Sequence, residues 1–337
     1  MSTKENKVAK SVTLGDLAES LGLSRHTVGR ILSDKAHLHN KKTVQRVLEA
    51  ADQMGYRPNL LAKGIRSGSS LSVGVLIGLE NDQFSSNILK GLQDGLLENH
   101  YLPVILIKTP GQSEQALLHC LLDRQVDGVI LKPFFEDRYQ ACFAELEKRG
   151  IPCVQVNTPL RSEHHFCGTD DLYGGRMAAQ HLLDKGYRKV AIFSFADETL
   201  DVQQREQGFR ATISGRSEVE VFKIQEAYDA VNLSLTTCQT LDRVEAVFAL
   251  SDQLAYRIYG YAKRSGRSIP SDLAILGYGG LGEAEIMYPP LSSVCQDGYA
   301  IGKRTATLMF DTLNGNIIEG ETTIVRIKPK LIERGST

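Results

Sequence analysis

Residues 13–32 read TLGDLAESLGLSRHTVGRIL, and this stretch decides the fold of the N-terminal part of the chain. Its first half carries one apolar face at helical spacing, formed by Leu14, Leu17, Ala18 and Leu21. Thr13 is able to cap this helix, and Asp16 can reach back to complete a capping box. Gly22 then predicts a tight turn, and Ser24 can cap a second helix.

Two further helices follow from the same reasoning. The second runs from Arg25 to Leu32, with an inner face of Val28, Ile31 and Leu32. The third runs from Lys41 to Met54, with an inner face of Val44, Val47, Leu48 and Ala51. Two short helices around a glycine turn, closed by a third helix, predict a helix-turn-helix head.

The charge distribution supports contact between this head and a polyanion. Residues 1–66 contain 12 Lys and Arg against 6 Asp and Glu, whereas the remaining 271 residues contain 27 against 34. The net charge of −1 therefore hides a basic head and an acidic body. A small helical bundle whose basic face is merely solvated is the alternative interpretation.

The rest of the chain alternates short apolar runs with amphipathic segments. Eight strands are predicted, at 72–77, 103–107, 128–131, 153–156, 189–193, 220–224, 246–250 and 274–277. Helices are predicted between them, for example at 85–99, 114–123, 172–185 and 253–265. This alternation indicates mostly parallel sheets covered by helices, and a body of this length favours two Rossmann-like lobes.

Several stretches resemble the LacI/GalR family of bacterial repressors. The matching residues are Val12-Thr13-Leu14 with Asp16-Leu17-Ala18, Ser24 with Thr27-Val28-Gly29-Arg30, and Tyr56-x-Pro58-Asn59-x-x-Ala62. The resemblance covers nearly the whole chain after the first ten residues. It implies a helix-turn-helix head at 11–56, a hinge helix and linker at 57–70, and a periplasmic-binding-protein-like α/β body.

The resemblance also implies how the head contacts DNA. Arg25, His26 and Arg30 correspond to residues that meet base edges in the major groove. Phosphate contacts are implied for Thr13, Ser24, Thr27 and Asn59. Ala62 and Ile65 match hinge residues that enter the minor groove, where an apolar side chain can unstack a base step. For Ile65 the alternative is a linker residue that covers the body, and for His26 a solvated imidazole.

In this family the body places a small ligand between two lobes, and the chain crosses between them near Gly168, Cys295 and Arg326. The implied first lobe is 71–168 with 296–325, and the second is 169–295 with 326–337. The effector-binding residues carried over from the family pattern are Asp82, Phe84, Lys132, Asn157, Arg205, Tyr228, Asp252 and Gln296. Ordinary structure is the alternative for each of them, and Asp252 in particular can simply cap its helix.

Two departures from the family pattern concern the charge of the effector. Gly279 stands where sugar-binding members carry an aspartate, and Lys132 stands where a neutral or apolar residue is usual. One negative charge is lost and one positive charge is gained, which favours an anionic effector such as a sugar acid or sugar phosphate, held by Lys132 and Arg205. A neutral sugar or a nucleoside is the alternative.

Other classes of protein are disfavoured by the sequence. The chain shows no signal peptide and no membrane-spanning run, which predicts a cytoplasmic protein rather than a transport component. Six cysteines and eight histidines form no metal-binding or disulfide pattern, and His164-His165 is interpreted as a surface loop. A nicotinamide-dependent enzyme is suggested by the G-x-G-x-x-G pattern at Gly277, Gly279 and Gly282. In such an enzyme the last glycine opens a long helix, and here Pro289-Pro290 would end that helix within a few residues, so the match is interpreted as a coincidence.

The sequence therefore predicts a non-enzymatic regulator with no catalytic residue, cofactor or metal. The resemblance implies a homodimer on a near-palindromic operator, because the twofold symmetry of the protein has to match that of the DNA. The function predicted is repression of a carbohydrate-utilisation operon under the control of the effector.

Overall fold

The computed structural model of the chain divides into two units, a head of Met1–Ser70 and a body of Leu71–Thr337. It describes residues 12–32, 36–57, 68–78, 83–109, 111–133, 136–196, 198–227, 232–317 and 320–337. Most of the predicted hinge at 57–70 lies outside these residues.

The head contains the three predicted helices: α1 (Leu14–Leu21), α2 (Arg25–Ile31) and α3 (Lys41–Gln53), with a short 3₁₀ helix at Ala36–Leu38. The capping box at the start of α1 is confirmed, since the Asp16 amide donates to the Thr13 hydroxyl at 3.2 Å and the Thr13 amide donates to the Asp16 carboxylate at 2.8 Å. Gly22 ends α1 with a left-handed φ of 67°.

The apolar faces of the three helices meet in one small core. It consists of Leu17, Ala18, Val28, Ile31, Val47 and Ala51. The prediction that Leu48 points inward is wrong, because its side chain is 47% exposed. The inner stripe of α3 passes through Val47 and Ala51, and one residue further along turns Leu48 about 100° away from it.

The body is built on two sheets of six strands each. The first contains β1 (Ser72–Gly78), β2 (Leu102–Lys108), β3 (Gly128–Lys132), β4 (Cys153–Val156), β5 (His165–Thr169) and β11 (Ile324–Ile327). The second contains β6 (Lys189–Phe195), β7 (Glu220–Glu226), β8 (Ala246–Ala249), β9 (Ala274–Gly279), β10 (Ser292–Cys295) and β12 (Lys330–Ile332).

The strand orders show two doubly wound lobes. They are β11-β5-β4-β3-β1-β2 and β12-β10-β9-β8-β6-β7, and every pair is parallel except β10 with β12. We call the part of the body built on each sheet the first and the second lobe. The predicted lobe boundaries after residues 168 and 325 fall inside β5 and β11. The chain leaves the first sheet one residue later in the first case, after Thr169, and two residues later in the second, after Ile327.

Helices cover the faces of both sheets. The first lobe has α4 (Gln83–Glu98), α5 (Glu114–Leu122), α6 (Glu136–Arg149) and α12 (Gly298–Leu313). The second lobe has α7 (Asp171–Asp184), α8 (Leu200–Ile213), α9 (Leu235–Leu241), α10 (Asp252–Ser265) and α11 (Glu283–Ile286). The sheet cores are almost entirely apolar, as parallel strands covered on both faces require.

All eight predicted strands are confirmed, whereas β5, β10, β11 and β12 escaped prediction. These four are short and carry polar residues or glycine, so their sequences lack an apolar pattern. The interpretation of His164-His165 as a surface loop is wrong. His165 begins β5, and the His164 ring stacks on Phe143 with 4.9 Å between ring centroids.

Each lobe contains a pair of helices that cross at glycines. In the first lobe, a β-carbon on Gly302 of α12 would lie 2.0 Å from the Ile88 carbonyl of α4, and one on Gly91 would lie 2.1 Å from the Tyr299 carbonyl. In the second lobe, Gly175 of α7 and Gly208 of α8 face opposing backbone carbonyls at 2.0 Å. The two helices that begin just after lobe crossovers, α7 and α12, are thus each held backbone to backbone against a helix of their own lobe.

Replacing Gly302 with Ala should lower the free energy of unfolding by about 3 kcal/mol, because the backbone of α4 has to move away from the added methyl group. Thermal unfolding followed by circular dichroism measures the change. Gly260→Ala in α10 is the matched control, since its added methyl meets only the flexible end of Arg264, at 3.3 Å. The control should gain about 0.5–1 kcal/mol, and equal effects of the two substitutions would contradict the close crossing.

Candidate functional site

The exposed face of α2 forms the candidate DNA interface of the head. Ser24 caps the helix by accepting a hydrogen bond from the Thr27 amide at 3.0 Å, and Val28 and Ile31 are buried. This anchoring leaves Arg25 and His26 exposed and Arg30 half-buried. The Arg25 guanidinium lies over Gly15 of α1, with Nη2 2.8 Å from where a β-carbon on that glycine would stand.

Three predicted phosphate contacts have structural roles in the free head. Thr13 donates its hydroxyl hydrogen to Asp16 at 2.8 Å, and the hydroxyls of Ser24 and Thr27 lie 2.8 Å apart. These groups fix the starts of α1 and α2 at the surface. Their contact with phosphates stays a prediction. Asn59, Ala62 and Ile65 lie outside the described residues, as do Asp82 and Tyr228 of the predicted effector site.

The candidate effector site of the body lies at the carboxyl ends of the parallel strands, where α/β folds bind their ligands. Lys132 ends β3 and Asn157 follows β4 in the first lobe. In the second lobe Leu250 follows β8, and Gln296 follows β10 at a crossover between the lobes. We call the polar region that these strand ends share the crevice.

Arg205 is the centre of a buried cluster in the crevice. Its Nε donates to Asp171 at 2.8 Å, and its Nη2 donates to Asp201 at 3.0 Å. Its Nη1 donates to the Leu250 carbonyl at 2.8 Å, and the guanidinium carbon lies 4.1 Å from the centre of the Tyr278 ring. A buried guanidinium requires such compensation, because an unpaired charge in the interior is strongly unfavourable.

The cluster also joins the two lobes. Thr158 of the first lobe donates its hydroxyl hydrogen to Asp201 of the second at 3.1 Å, and both side chains are buried. The side-chain oxygen of Gln296 accepts from the Thr169 hydroxyl at 3.2 Å and from Arg205 Nη2 at 3.4 Å. Movement of one lobe against the other therefore has to change the hydrogen bonds of this cluster.

The protonation of the cluster follows from burial and charge. Burial raises the pKa of Asp171 to about 6, although Arg205 and the Tyr278 hydroxyl at 2.8 Å both favour the ionised form. Burial alone would lower the pKa of Arg205, but Asp171 and Asp201 raise it above its ordinary value. Arg205 thus stays charged between two carboxylates, and with both ionised the cluster carries −1.

Asp252 is occupied by the protein itself. One carboxylate oxygen accepts from the Leu281 amide at 2.8 Å and the other from the Ser293 hydroxyl at 2.7 Å, and the side chain is fully buried. Burial raises its pKa, and these hydrogen bonds oppose that shift. It is Ser251 rather than Asp252 that caps α10. The hydrogen bonds of Asp252 hold the loop after β9 in place. Contact between Asp252 and the effector stays a prediction.

That loop explains the glycines in the G-x-G-x-x-G pattern. A β-carbon on Gly277 would lie 2.1 Å from the Asp252 carboxylate, and Gly279 has a φ of 139°, which disfavours any side chain. The helix after this loop, α11, ends at Ile286. Gly277 therefore makes room for Asp252, and the backbone conformation at Gly279 disfavours an aspartate at that position.

Lys132 and Phe84 lie inside the first lobe. Lys132 is 2% exposed, and its ammonium donates to the Ser85 hydroxyl at 2.9 Å. Phe84 is 9% exposed and packs in the first-lobe core together with Ile88 and Leu281, the last of which belongs to the loop after β9. Phe84 thus has a packing role at the contact between the lobes, and its contact with the effector stays a prediction.

Asn157 has the clearest signature of a ligand contact. The residue is 8% exposed and has a left-handed φ of 72°, and its side-chain carbonyl has no hydrogen-bond partner among the described residues. Buried acceptors are rarely left unsatisfied. The buried hydroxyl of Ser194, near the end of β6, also has no partner in the described part of the chain.

Sequence reasoning missed Thr158, Asp171, Ser194, Asp201 and Tyr278. Asp201 could have been found, since it lies four residues before Arg205 on one helix face and such pairs interact. The others are distant in sequence and only the tertiary fold brings them together. Over the described residues, no group of three metal-binding side chains occurs, and no helix is long and apolar enough to cross a membrane.

A helix-turn-helix head followed by a two-lobed body with a polar crevice defines a ligand-responsive DNA-binding regulator. Comparison with known proteins agrees with this class. Residues 13–59 match the bacterial regulatory proteins of the lacI family, and residues 179–337 match the periplasmic binding protein-like domain. The chain therefore combines a DNA-binding domain of the lacI family with a periplasmic binding protein-like domain.

Relatives extend over nearly the whole chain. The HTH-type transcriptional repressor PurR of Vibrio vulnificus is 25% identical over 331 residues, covering 96% of this chain and 97% of the relative. The ribose operon repressor of Halalkalibacterium halodurans is 26% identical over 332 residues, with coverage of 96% and 97%.

Two solved structures show the same architecture. The transcriptional regulator CelR in complex with cellobiose is 27% identical, with a TM-score of 0.70 and coverage of 97% of this chain and 100% of that one. The lac repressor dimer bound to operator and an anti-inducer shares the fold at 21% identity, with a TM-score of 0.81 and coverage of 97% and 99%.

Proposed function

We propose that this protein represses a carbohydrate-utilisation operon in the cytoplasm and that an anionic sugar-like effector in the crevice controls its binding to DNA. The observation that carries the effector site is the buried, unsatisfied carbonyl of Asn157 at the end of a parallel strand. The protein acts without catalysis or cofactor in this account, as befits relatives that are named repressors.

The charge of the effector is argued from Lys132. A buried ammonium at the carboxyl end of β3 can meet an anionic group of a ligand, and a charge-assisted hydrogen bond contributes about 1.5–3 kcal/mol. Arg205 is weaker evidence for an anionic effector than the family pattern suggested, because Asp171 and Asp201 already neutralise the charge of its guanidinium. We therefore assign the anionic end of the effector to Lys132.

A neutral effector is the second candidate, and two observations favour it. The compensated Arg205 offers no net positive charge, and the named ligands and operons of relatives include cellobiose and ribose. A nucleoside is a further neutral alternative. The Lys132 variant described below separates these possibilities.

We also propose a homodimer that places two heads on a near-palindromic operator. Its second-lobe contact is assigned to the segment around α11, where Ile286 is 82% and Tyr288 94% exposed. Large apolar side chains exposed next to each other are typical of protein–protein contacts. Effector binding would then act by changing the angle between the lobes and so the spacing of the heads.

Arg25→Ala should weaken binding to a selected duplex by about 1–3 kcal/mol and relax the base preference at one position of each half-site, because the arginine is assigned to a base edge. The duplex is first selected from a random pool by the wild-type protein, and affinity is then measured by fluorescence anisotropy. The control is Arg46→Ala, which removes an exposed arginine from α3 of the same head. If both variants lose affinity equally and keep their base preference, α2 is not the recognition helix.

Lys132→Met should reduce the affinity for an anionic effector at least tenfold and leave the matching neutral sugar unchanged. Isothermal titration of both ligands measures this difference. Lys108→Met is the control: this lysine ends β2, two strands away from β3 in the same sheet, and it pairs with Glu114 at 3.4 Å. Neutral sugars that bind wild type and Lys132→Met equally well, with no binding of anionic ones, would establish the second candidate.

Tyr288→Asp should shift the protein from dimer to monomer in sedimentation velocity, because burying the introduced carboxylate in an apolar contact is unfavourable. The variant should fold normally, since the wild-type side chain is exposed. Leu235→Asp, at a side chain that is 74% exposed, is expected to remain dimeric. A dimeric Tyr288→Asp would remove this surface from the interface, and a monomeric wild type would contradict the homodimer.

A further inference from the structure

The Arg205 end of the crevice has a charge opposite to the one its arginine suggests. Asp171 and Asp201 both contact the guanidinium, at 2.8 and 3.0 Å, so two carboxylates surround one cation. All three side chains are at least nine-tenths buried. Burial weakens solvent screening, so a ligand near this cluster experiences its net negative charge.

The two carboxylates are used differently. The same Asp171 oxygen accepts from Arg205 and from the Tyr278 hydroxyl, deep in the second lobe. Asp201 directs one oxygen at Arg205, and its other oxygen accepts from Thr158 of the first lobe. A carboxylate oxygen can accept two hydrogen bonds, so this second oxygen, at the boundary between the lobes, has the capacity to meet a ligand.

The neighbouring unsatisfied groups point to the same ligand chemistry. Asn157 precedes Thr158 and presents an unsatisfied carbonyl, which accepts hydrogen bonds. Ser194 is placed beside Leu250 by the pairing of Phe193 with Ala249, and the Leu250 carbonyl accepts from Arg205. Two acceptors and a hydroxyl at one end of the crevice suit a group that donates hydrogen bonds.

We propose that Asp201 determines effector specificity by accepting a hydrogen bond from an uncharged hydroxyl of the effector and by excluding anions from the Arg205 end. This inference rests on the proposed effector site. It also fixes the orientation of the bound effector, whose hydroxyl groups face Asn157 and Asp201 and whose anionic group, if it has one, faces Lys132. An anion about 4 Å from Asp201 would bind on the order of 10²–10³-fold more weakly at an effective dielectric near 20.

The test uses the full-length protein and a ligand series. Thermal unfolding first selects a binder from ribose, glucose and cellobiose with the phosphate esters and acids of ribose and glucose. Monodeoxy analogues of that binder are then titrated into wild type and Asp201→Asn by calorimetry. Asp184→Asn is the control, because it removes the same charge from an exposed position at the far end of α7.

We expect that removing one particular hydroxyl of the ligand lowers its affinity for the wild type about tenfold or more. Removing the same hydroxyl should leave the affinity for Asp201→Asn almost unchanged. A purely structural role of Asp201 would instead weaken every analogue by the same factor, and that result would overturn the inference. Equal affinities of wild type and variant for the parent ligand would overturn it as well, while leaving the proposed effector site intact.

A measurement on wild type alone covers the case in which Asp201→Asn does not fold. For each hydroxyl-bearing position of the selected ligand, three compounds are compared, which carry an ammonium, a hydroxyl or a carboxylate at that position. The inference predicts one position at which the ammonium binds at least as tightly as the hydroxyl and the carboxylate at least a hundredfold more weakly. The absence of any such position would contradict it, whereas binding of no compound at all would contradict the proposed function on which it rests.

Discussion

Burial of the Arg205 guanidinium is the constraint on which the arrangement of the body depends. An unpaired cation at this depth would be unstable, so the fold has to supply acceptors around it. They come from separate parts of the chain: the start of α7 gives Asp171, the loop after β8 gives the Leu250 carbonyl, and the crossover after β10 gives Gln296. Removing the arginine would leave two buried carboxylates together, which is equally unfavourable. The cluster therefore fixes how α7, α8 and the second sheet meet at the crevice.

The same cluster connects the two lobes. Its hydrogen bonds through Thr158 and Gln296 cross from one lobe to the other, so lobe movement acts on the atoms at which we propose that the effector binds. The glycine crossings make each lobe rigid, because helices in backbone contact cannot slide without a clash. Rigid lobes that meet through a few polar contacts and the packing of Phe84 on Leu281 suit a change of angle between them rather than a change within either one. Coupling of this kind between an effector and DNA is typically about 1–3 kcal/mol.

Local features were predictable from the sequence, and long-range partners were not. The capping box at Thr13, the left-handed Gly22 and the apolar period of the helices all follow from interactions within a few residues. The eight apolar strands followed equally well, whereas β10, with its buried serines, depends on partners such as Arg334 and Asp252 from elsewhere in the chain. The family pattern identified Arg205 and Asn157 as candidate residues. It did not reveal that Arg205 is compensated, because Asp171 and Tyr278 reach it only through the tertiary fold.

We propose that the effector binds in the crevice beside the Arg205 cluster, and a crystal structure of the full-length protein with its effector decides this. Ligand density is expected within hydrogen-bonding distance of the Asn157 side-chain carbonyl and of the Asp201 carboxylate oxygen that accepts from Thr158, with any anionic group toward Lys132. Density outside the crevice, or density in the crevice with an anionic group against Arg205, would contradict it.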